Sequence, residues 1–445
     1  MMELRNRIAG LMSPAWMDLE ELVAIRSVAG SSPAECERAA EWVVRGFTDV
    51  GFADARTEQT SDGSLAVVGS RDCGDPDAPT VLLYAHYDVQ PALDENAWHT
   101  PPFALTRGNG RWYGRGAADC KGNIVMHLTA LRALDHLPVN LKIVVEGAEE
   151  RGTDGLATLV RDKPELVHAD AILVCDTGNA AVGHPAVTVS LRGMVNVVVT
   201  VRTMAAALHS GMFGGPAPDA LAALIAVLAT LRDDQGNTVV PGLDRDQQWL
   251  GEPYPVDRFR SDAGVLDDVT LLGDGGVADM LWARPAVTVL GIDCPPVTGS
   301  AAAIVPEASA RLNLRIPPDV DAETAANALV DHLHASAPWG ARVAVETEAV
   351  GTPFRTAQDG PAHRAMATAM LEAYGRPAVQ LGQGGSIPLC TALAEASPDA
   401  ELILMGVEEP QALIHAPNES VDPGEIARMA LVEALFLSHY PRSQA

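Results

Sequence analysis

A change of hydrophobic period near Val187 limits what this chain can fold into more than any other feature. Before it, apolar residues come in short runs: Thr80-Val-Leu-Leu-Tyr-Ala85, Leu141 to Val145 and Ala171 to Cys175. Such runs suit strands covered on both faces, as in an α/β sheet flanked by helices. From Val187 the pattern alternates, through Val187, Val189 and Leu191 and then Val195, Val197, Val199 and Val201, with Val198 the exception. Period two marks strands with one open face. A chain carrying both patterns needs two kinds of sheet, and its 445 residues are likewise too many for one ordinary core.

Helix-like stretches surround the apolar runs. Pro14 to Ile25 reads as a helix with Pro14 near its start, where the missing N–H costs nothing; Pro33 to Val50 and Asn123 to His136 read as two more. In the alternating region a helix is expected from an Asp219 N-cap to Leu231. Past a Gly/Asp/Pro-rich stretch follow a strand (Ala310 to Ile316), a helix (Ala322 to His334) and a strand (Arg342 to Glu348). The last hundred or so residues return to helix and buried strand, the strand being Glu401 to Gly406. The predicted fold is an α/β domain, residues 1–186 and 351–445, built on a mixed sheet flanked by helices. A smaller α+β domain, residues 187–350, interrupts it.

The formal net charge of −27 argues against nucleic-acid or anionic-membrane partners. The six cysteines are scattered with no C-x-x-C pair, which suits a reducing compartment rather than a disulfide framework. Glu3, Arg5 and Arg7 lie in an amphipathic N-terminal stretch unlike a signal peptide, and the longest apolar run, Ala220 to Leu231, is too short to span a bilayer. A cytoplasmic location is expected.

Ligands in open α/β sheets collect beyond the carboxyl ends of strands. There this chain places His86-Tyr87-Asp88, then Asp119 after a glycine-rich turn, Glu149-Glu150, Asp176, and His415 one loop beyond the Glu401 strand. Singly, each has an ordinary explanation: a hydrogen-bonded histidine, a solvated acid pair, an N-cap. Together, carboxylates converging at one sheet end would repel one another without a cation. Two histidines and three carboxylates form an N/O donor set suited to two Zn²⁺, Mn²⁺ or Co²⁺ ions. Asp88, two residues from His86 on an extended segment, can accept the second ring N–H of that histidine. Glu149 and Glu150 are adjacent and point apart, so one can bind metal while the other serves as a general base.

The segments His86-Tyr-Asp-Val-Gln-Pro91, Tyr113-Gly-Arg-Gly-Ala-Ala-Asp-Cys-Lys-Gly122, Glu146-Gly-Ala-Glu-Glu150 and His415-Ala-Pro-Asn-Glu419 resemble the co-catalytic zinc metallopeptidases. That family includes carnosinase, cytosolic non-specific dipeptidase, glutamate carboxypeptidase and acetylornithine deacetylase, and the resemblance is greatest to the carnosinase-like branch. It implies two divalent metals per subunit, zinc first and manganese or cobalt as alternatives. Asp119 would bridge, His86 and Asp176 would complete one site, and Glu150 and His415 the other. Glu149 would be the base and Asp88 the clamp on His86; the peptide bond after the bridging aspartate, here Asp119-Cys120, is cis in relatives. The inserted domain would be a lid and dimerisation domain. Its Leu208-His-Ser-Gly segment resembles the lid whose histidine, here His209, reaches the partner subunit's active site. Arg315 matches an arginine holding the substrate's free carboxylate, and Gly384-Gly385-Ser386 a turn lining that pocket. Relatives often carry Asn or Thr where this chain has Ala303, which leaves the substrate less defined than the reaction. The resemblance implies amide hydrolysis in dipeptides or short peptides by a homodimer. Hydrolysis of N-acyl amino acids at the same metals is the alternative.

Overall fold

The unbroken apolar runs form the middle of a sheet in the computed structural model, which describes residues 2–385 and 387–443. In chain order the strands that position the sites are β1 (Arg56–Gln59), β2 (Leu65–Arg71), β3 (Thr80–His86), β4 (Asn140–Glu146), β5 (Ala171–Cys175) and β6 (Ala186–Leu191). There follow β7 (Gly193–Arg202), β8 (Leu208–His209), β9 (Ala286–Asp293), β10 (Ala303–Ile304), β11 (Glu307–Ile316), β12 (Arg342–Gly351) and β13 (Glu401–Met405). Two units separate: Met1–Val189 with Thr356–Leu381 and Pro388–Ala445, and Ser190–Arg355 with Gly382–Ile387.

In the first unit the sheet contains the run β1-β2-β4-β3-β5-β13. β3 is parallel to β4 and β5, and β13 to β5, while β2 is antiparallel to β4, so the sheet is mixed. β5 is buried along its whole length and β3 from Val81 to His86. Helices Met2–Ala24, Pro33–Asp49, Lys121–Ala133 and Pro361–Tyr374 supply the other half of one continuous apolar core. Each fully buried Leu, Ile or Val in it contributes roughly 1.5–3 kcal/mol relative to exposure. Four parallel strands place their carboxyl ends along one edge, where the polar residues gather.

The first helix departs from expectation. It begins at Met2, so Pro14 lies inside it rather than near its start. A proline there leaves the carbonyl four residues earlier without its helical donor, but that residue, Gly10, is exposed and open to water. Tertiary contacts hold the extra turns: Ile8 is buried, and the Arg5 guanidinium donates to the carbonyl of Ala373 at 3.0 Å.

The second unit carries a four-stranded antiparallel sheet in the order β9-β11-β7-β12. Val195, Val197, Val199 and Val201 of β7 are fully buried, packed with Leu224 and Val227 of helix Ala220–Ala229 and Leu329 and Leu333 of helix Ala322–Ala335. Asp219 caps the first helix, accepting from the Leu221 amide at 2.8 Å. The Gly/Asp/Pro-rich stretch is not all loop, since it contains β9. This edge strand buries only Val287 and changes register between Val289 and Gly291, so it carries little apolar signature. Among the described residues no helix is long and apolar enough to cross a membrane.

Candidate metal centre

Everything at this centre belongs to the first unit and grows from the ends of β3, β4, β5 and β13. His86 closes β3 and is fully buried. Its Nε2 lies 2.9 Å from Asp119 Oδ1 and 3.1 Å from Asp176 Oδ1, just beyond the end of β5. The other oxygen of Asp119 lies 3.0 Å from His415 Nε2, and Glu150 Oε2 is 3.1 Å from the same nitrogen. Asp119 therefore faces one histidine with each oxygen. One imidazole N–H cannot satisfy two carboxylates equally, whereas lone pairs aimed at a common point are the arrangement a cation requires. The donors present thus fit a pair of divalent ions, with Asp119 between them.

Cys120 stands beside His86 and Asp176 in a third possible ligand group. Its thiol donates to the carbonyl of Cys175 at 3.0 Å and burial pushes it up to about 12, so it stays a thiol. The Asp119-Cys120 peptide bond is cis.

Acids outnumber bases here. Burial, then repulsion from neighbouring carboxylates, raises Glu149 well above the ordinary carboxylate range; burial raises Asp176 to about 6. Asp119 goes the other way: burial opposes ionisation, but hydrogen bonds from His415 and His86 hold it below the usual range. Bound cations would favour the ionised form of every acid in the set.

The clamp on His86 is shared. Its Nδ1 is 3.1 Å from the backbone carbonyl of Asp88 and 3.4 Å from that residue's Oδ1. The Asp88 carboxylate accepts from the amides of Glu149 at 3.2 Å and Glu150 at 3.0 Å, so it also fixes the turn carrying both glutamates.

Three residues with no assigned role in the sequence reading hold or extend the centre. Glu419 is fully buried and accepts from Arg115 at 2.7 Å, Gly116 at 3.0 Å, and Ala118 and Asp119 at 3.1 Å each. It thereby clasps the glycine-rich turn that presents Asp119. The Gln90 side-chain amide donates to Glu150 Oε2 at 2.9 Å and orients that carboxylate. Glu408, buried after β13, groups with Asp119 and Asp176, and among the described residues its Oε1 has no hydrogen-bond partner. Its place beyond a strand end was the available signal; Glu419 acts through backbone amides and Arg115, and Gln90 through its side-chain amide, long-range contacts that spacing does not reveal.

The remaining predicted residues lie in the second unit. His209 is exposed, its Nδ1 accepting from the Gly211 amide at 3.1 Å, and it pairs across β8 and β10 with Ala303. Arg315 is half-buried on β11. Gly384 and Gly385 are half-buried, and Ser386 lies outside the described residues.

The model for Peptidase family M20/M25/M40 matches residues 82–439. Cysteinylglycine-S-conjugate dipeptidase of Corynebacterium striatum is 44% identical over 412 residues, covering 91% of this chain and 90% of that protein. Cys-Gly metallodipeptidase dug1 of Schizosaccharomyces pombe is 30% identical over 369 residues, covering 78% of this chain and 77% of its own. In fold, the chain is similar to the crystal structure of human carnosine dipeptidase 1, with a TM-score of 0.83 at 24% identity, covering 100% of this chain and 99% of that one. On sequence, fold and donor geometry alike, the chain belongs to peptidase family M20/M25/M40.

Proposed function

We propose that this protein is a dipeptidase holding two divalent metal ions, zinc in the first instance, between the histidines that flank Asp119. The observation that carries the reading is Asp119 itself, one oxygen towards His86 and the other towards His415. His86 and Asp176 would hold one ion, and Glu150 and His415 the other. Bound there, the ions supply Lewis-acid polarisation of an amide carbonyl and acidify a water. Glu149 would take a proton from the attacking water and deliver it to the departing amine, a transfer that a carboxylate beside the ions can carry in both directions. Asp88, Glu419 and Gln90 keep the donors aimed.

Residues 187–350 are proposed as a lid and dimerisation domain that carries His209 to a partner's site, where its imidazole stabilises the developing oxyanion. Arg315, with its planar donor fork, takes the free carboxylate of the substrate beside the turn of Gly384, Gly385 and Ser386. The 44% identical relative is named for cysteinylglycine S-conjugates, so Cys-Gly and its S-alkyl derivatives lead the substrate panel. A cytoplasmic enzyme fits the scattered cysteines, all six of which are free.

The test is turnover by metal-reconstituted protein of dipeptides against N-acetyl and N-succinyl amino acids. Dipeptides should be cleaved with the higher kcat/KM. Preference for the N-acyl compounds would replace this reading with a deacylase at the same metals.

A further inference from the structure

Three arginines are buried among the described residues: Arg115, Arg192 and Arg284. Arg115 pairs with Glu419 at 2.7 Å and Arg284 with Asp274 at 2.6 Å. Among the described residues Arg192 has no acid partner; it is 8% exposed, and its Nε and Nη1 find no hydrogen-bond partner there. A buried cation without a counter-charge is costly unless a ligand supplies the missing charge.

The surroundings of Arg192 show what use. It immediately precedes β7, whose Met194 is the cross-strand partner of Arg315. Val195 and Leu314, the next residues along, turn into the helix-covered core, so Met194 and Arg315 lie on the opposite face, and alternation brings Arg192 to that face too. The Arg192 amide donates to the carbonyl of Gln383 at 3.1 Å, which ties it to the glycine turn. A Cβ at Gly384 would stand 2.9 Å from Arg192 Nη2, so the turn passes directly over the guanidinium. Burial, and then repulsion from Arg315, lowers Arg192 to about 10, and no carboxylate offsets either effect. Arg315 too is lowered by burial alone.

We infer that Arg192 and Arg315 together form the receptor for the substrate's free carboxylate, Arg192 supplying the charge from beneath the Gly384 turn. The inference rests on the peptidase reading above and adds to it a specificity-determining residue. Two guanidiniums facing one carboxylate give the site its balancing charge only when a substrate with a free C-terminus arrives. Dipeptide amides and internal peptide bonds lack that charge and are rejected. Binding of this kind is equal in ground and transition states, so its loss raises KM and leaves kcat.

Metal-reconstituted wild type, Arg192→Gln and Arg192→Lys are compared on one dipeptide and on its C-terminal amide. Arg192→Gln should raise KM for the free acid about 10- to 100-fold with kcat changed less than about twofold, and Arg192→Lys should fall between. The amide, with no carboxylate to lose, should show a much smaller change. An unchanged KM for the acid, or an equal loss on acid and amide, overturns the role of Arg192. A fall in kcat at unchanged KM overturns it as well, and decides the matter if amide turnover is too slow to compare. Should Arg192→Gln fail to fold, Arg192→Lys gives the same acid-against-amide comparison. A wild type that cleaves amide and acid equally well instead overturns the free-carboxylate reading itself, before any variant is considered.

Discussion

The two units leave opposite charges uncompensated. In the first, Asp119, Glu149, Glu150, Asp176 and Glu408 crowd around two histidines, and burial raises several of them. In the second, Arg192 is buried beside the Gly384 turn with no acid among the described residues to pair it. Both arrangements are expensive in isolation, and both would be relieved by a ligand of the missing sign, metal ions in one unit and, on the proposal above, a carboxylate in the other. The units also differ in how firmly they hold their groups. Asp88, Gln90 and Glu419 brace the acids through the backbone or directly, while His209 stands exposed with one local hydrogen bond. A braced centre suits chemistry that needs fixed distances, and a loosely held histidine suits a group completed by something else.

That contrast can be broken at its strongest point first. Glu149→Gln should retain its metal, measured by elemental analysis, and lose about 10²- to 10⁴-fold in kcat; near-normal turnover would remove Glu149 as the base. His209→Ala should lose about 10²- to 10³-fold. Mixing it with Glu149→Gln should restore activity if His209 serves a partner's site, and no recovery on mixing would confine His209 to its own subunit. Glu419→Gln should weaken metal affinity about 10- to 100-fold by releasing the turn that carries Asp119. An unaltered affinity in metal titrations would show the turn to be rigid without it.

The smallest expected effect is on pH dependence. Hydrogen bonds to Asp119 and Glu150 raise His415 to about 11 in the metal-free protein. It therefore carries a proton at neutral pH that a metal ion must displace, and affinity should rise roughly tenfold per pH unit for that proton. The sign for stability is opposite: the metal-free fold gains from protonated His415 below the ordinary histidine pKa and loses that gain as pH climbs towards 11, by an amount that exposure of the ring keeps small. Metal affinity that falls between pH 6 and pH 8 would contradict the assignment.

Much of the fold was legible because strands and helices announce themselves locally. Ala171–Cys175 is a strand over the very residues that its apolar run marks. β9 was hidden, since an edge strand with one buried residue has no apolar pattern to read. The first helix ran longer than its local signals, because packing of Ile8 outweighs the cost of Pro14. At the metal centre the residues at strand ends were visible, and the ones that brace them were not. Nothing around Glu419 says that its two oxygens will collect four donors from a turn about three hundred residues earlier. Nothing in the residues next to Arg192 marks it for burial.

By itself, then, the sequence determined which side chains stand at the carboxyl ends of which strands, because apolar periodicity and strand direction are properties of a few neighbouring residues. Only the tertiary structure decided that Asp119 faces two histidines from distant segments, that Glu419 clasps its turn, and that Arg192 lies buried without an acid. Those are facts about which groups end up within a few ångströms of one another and away from water, and charge compensation acts at that range alone.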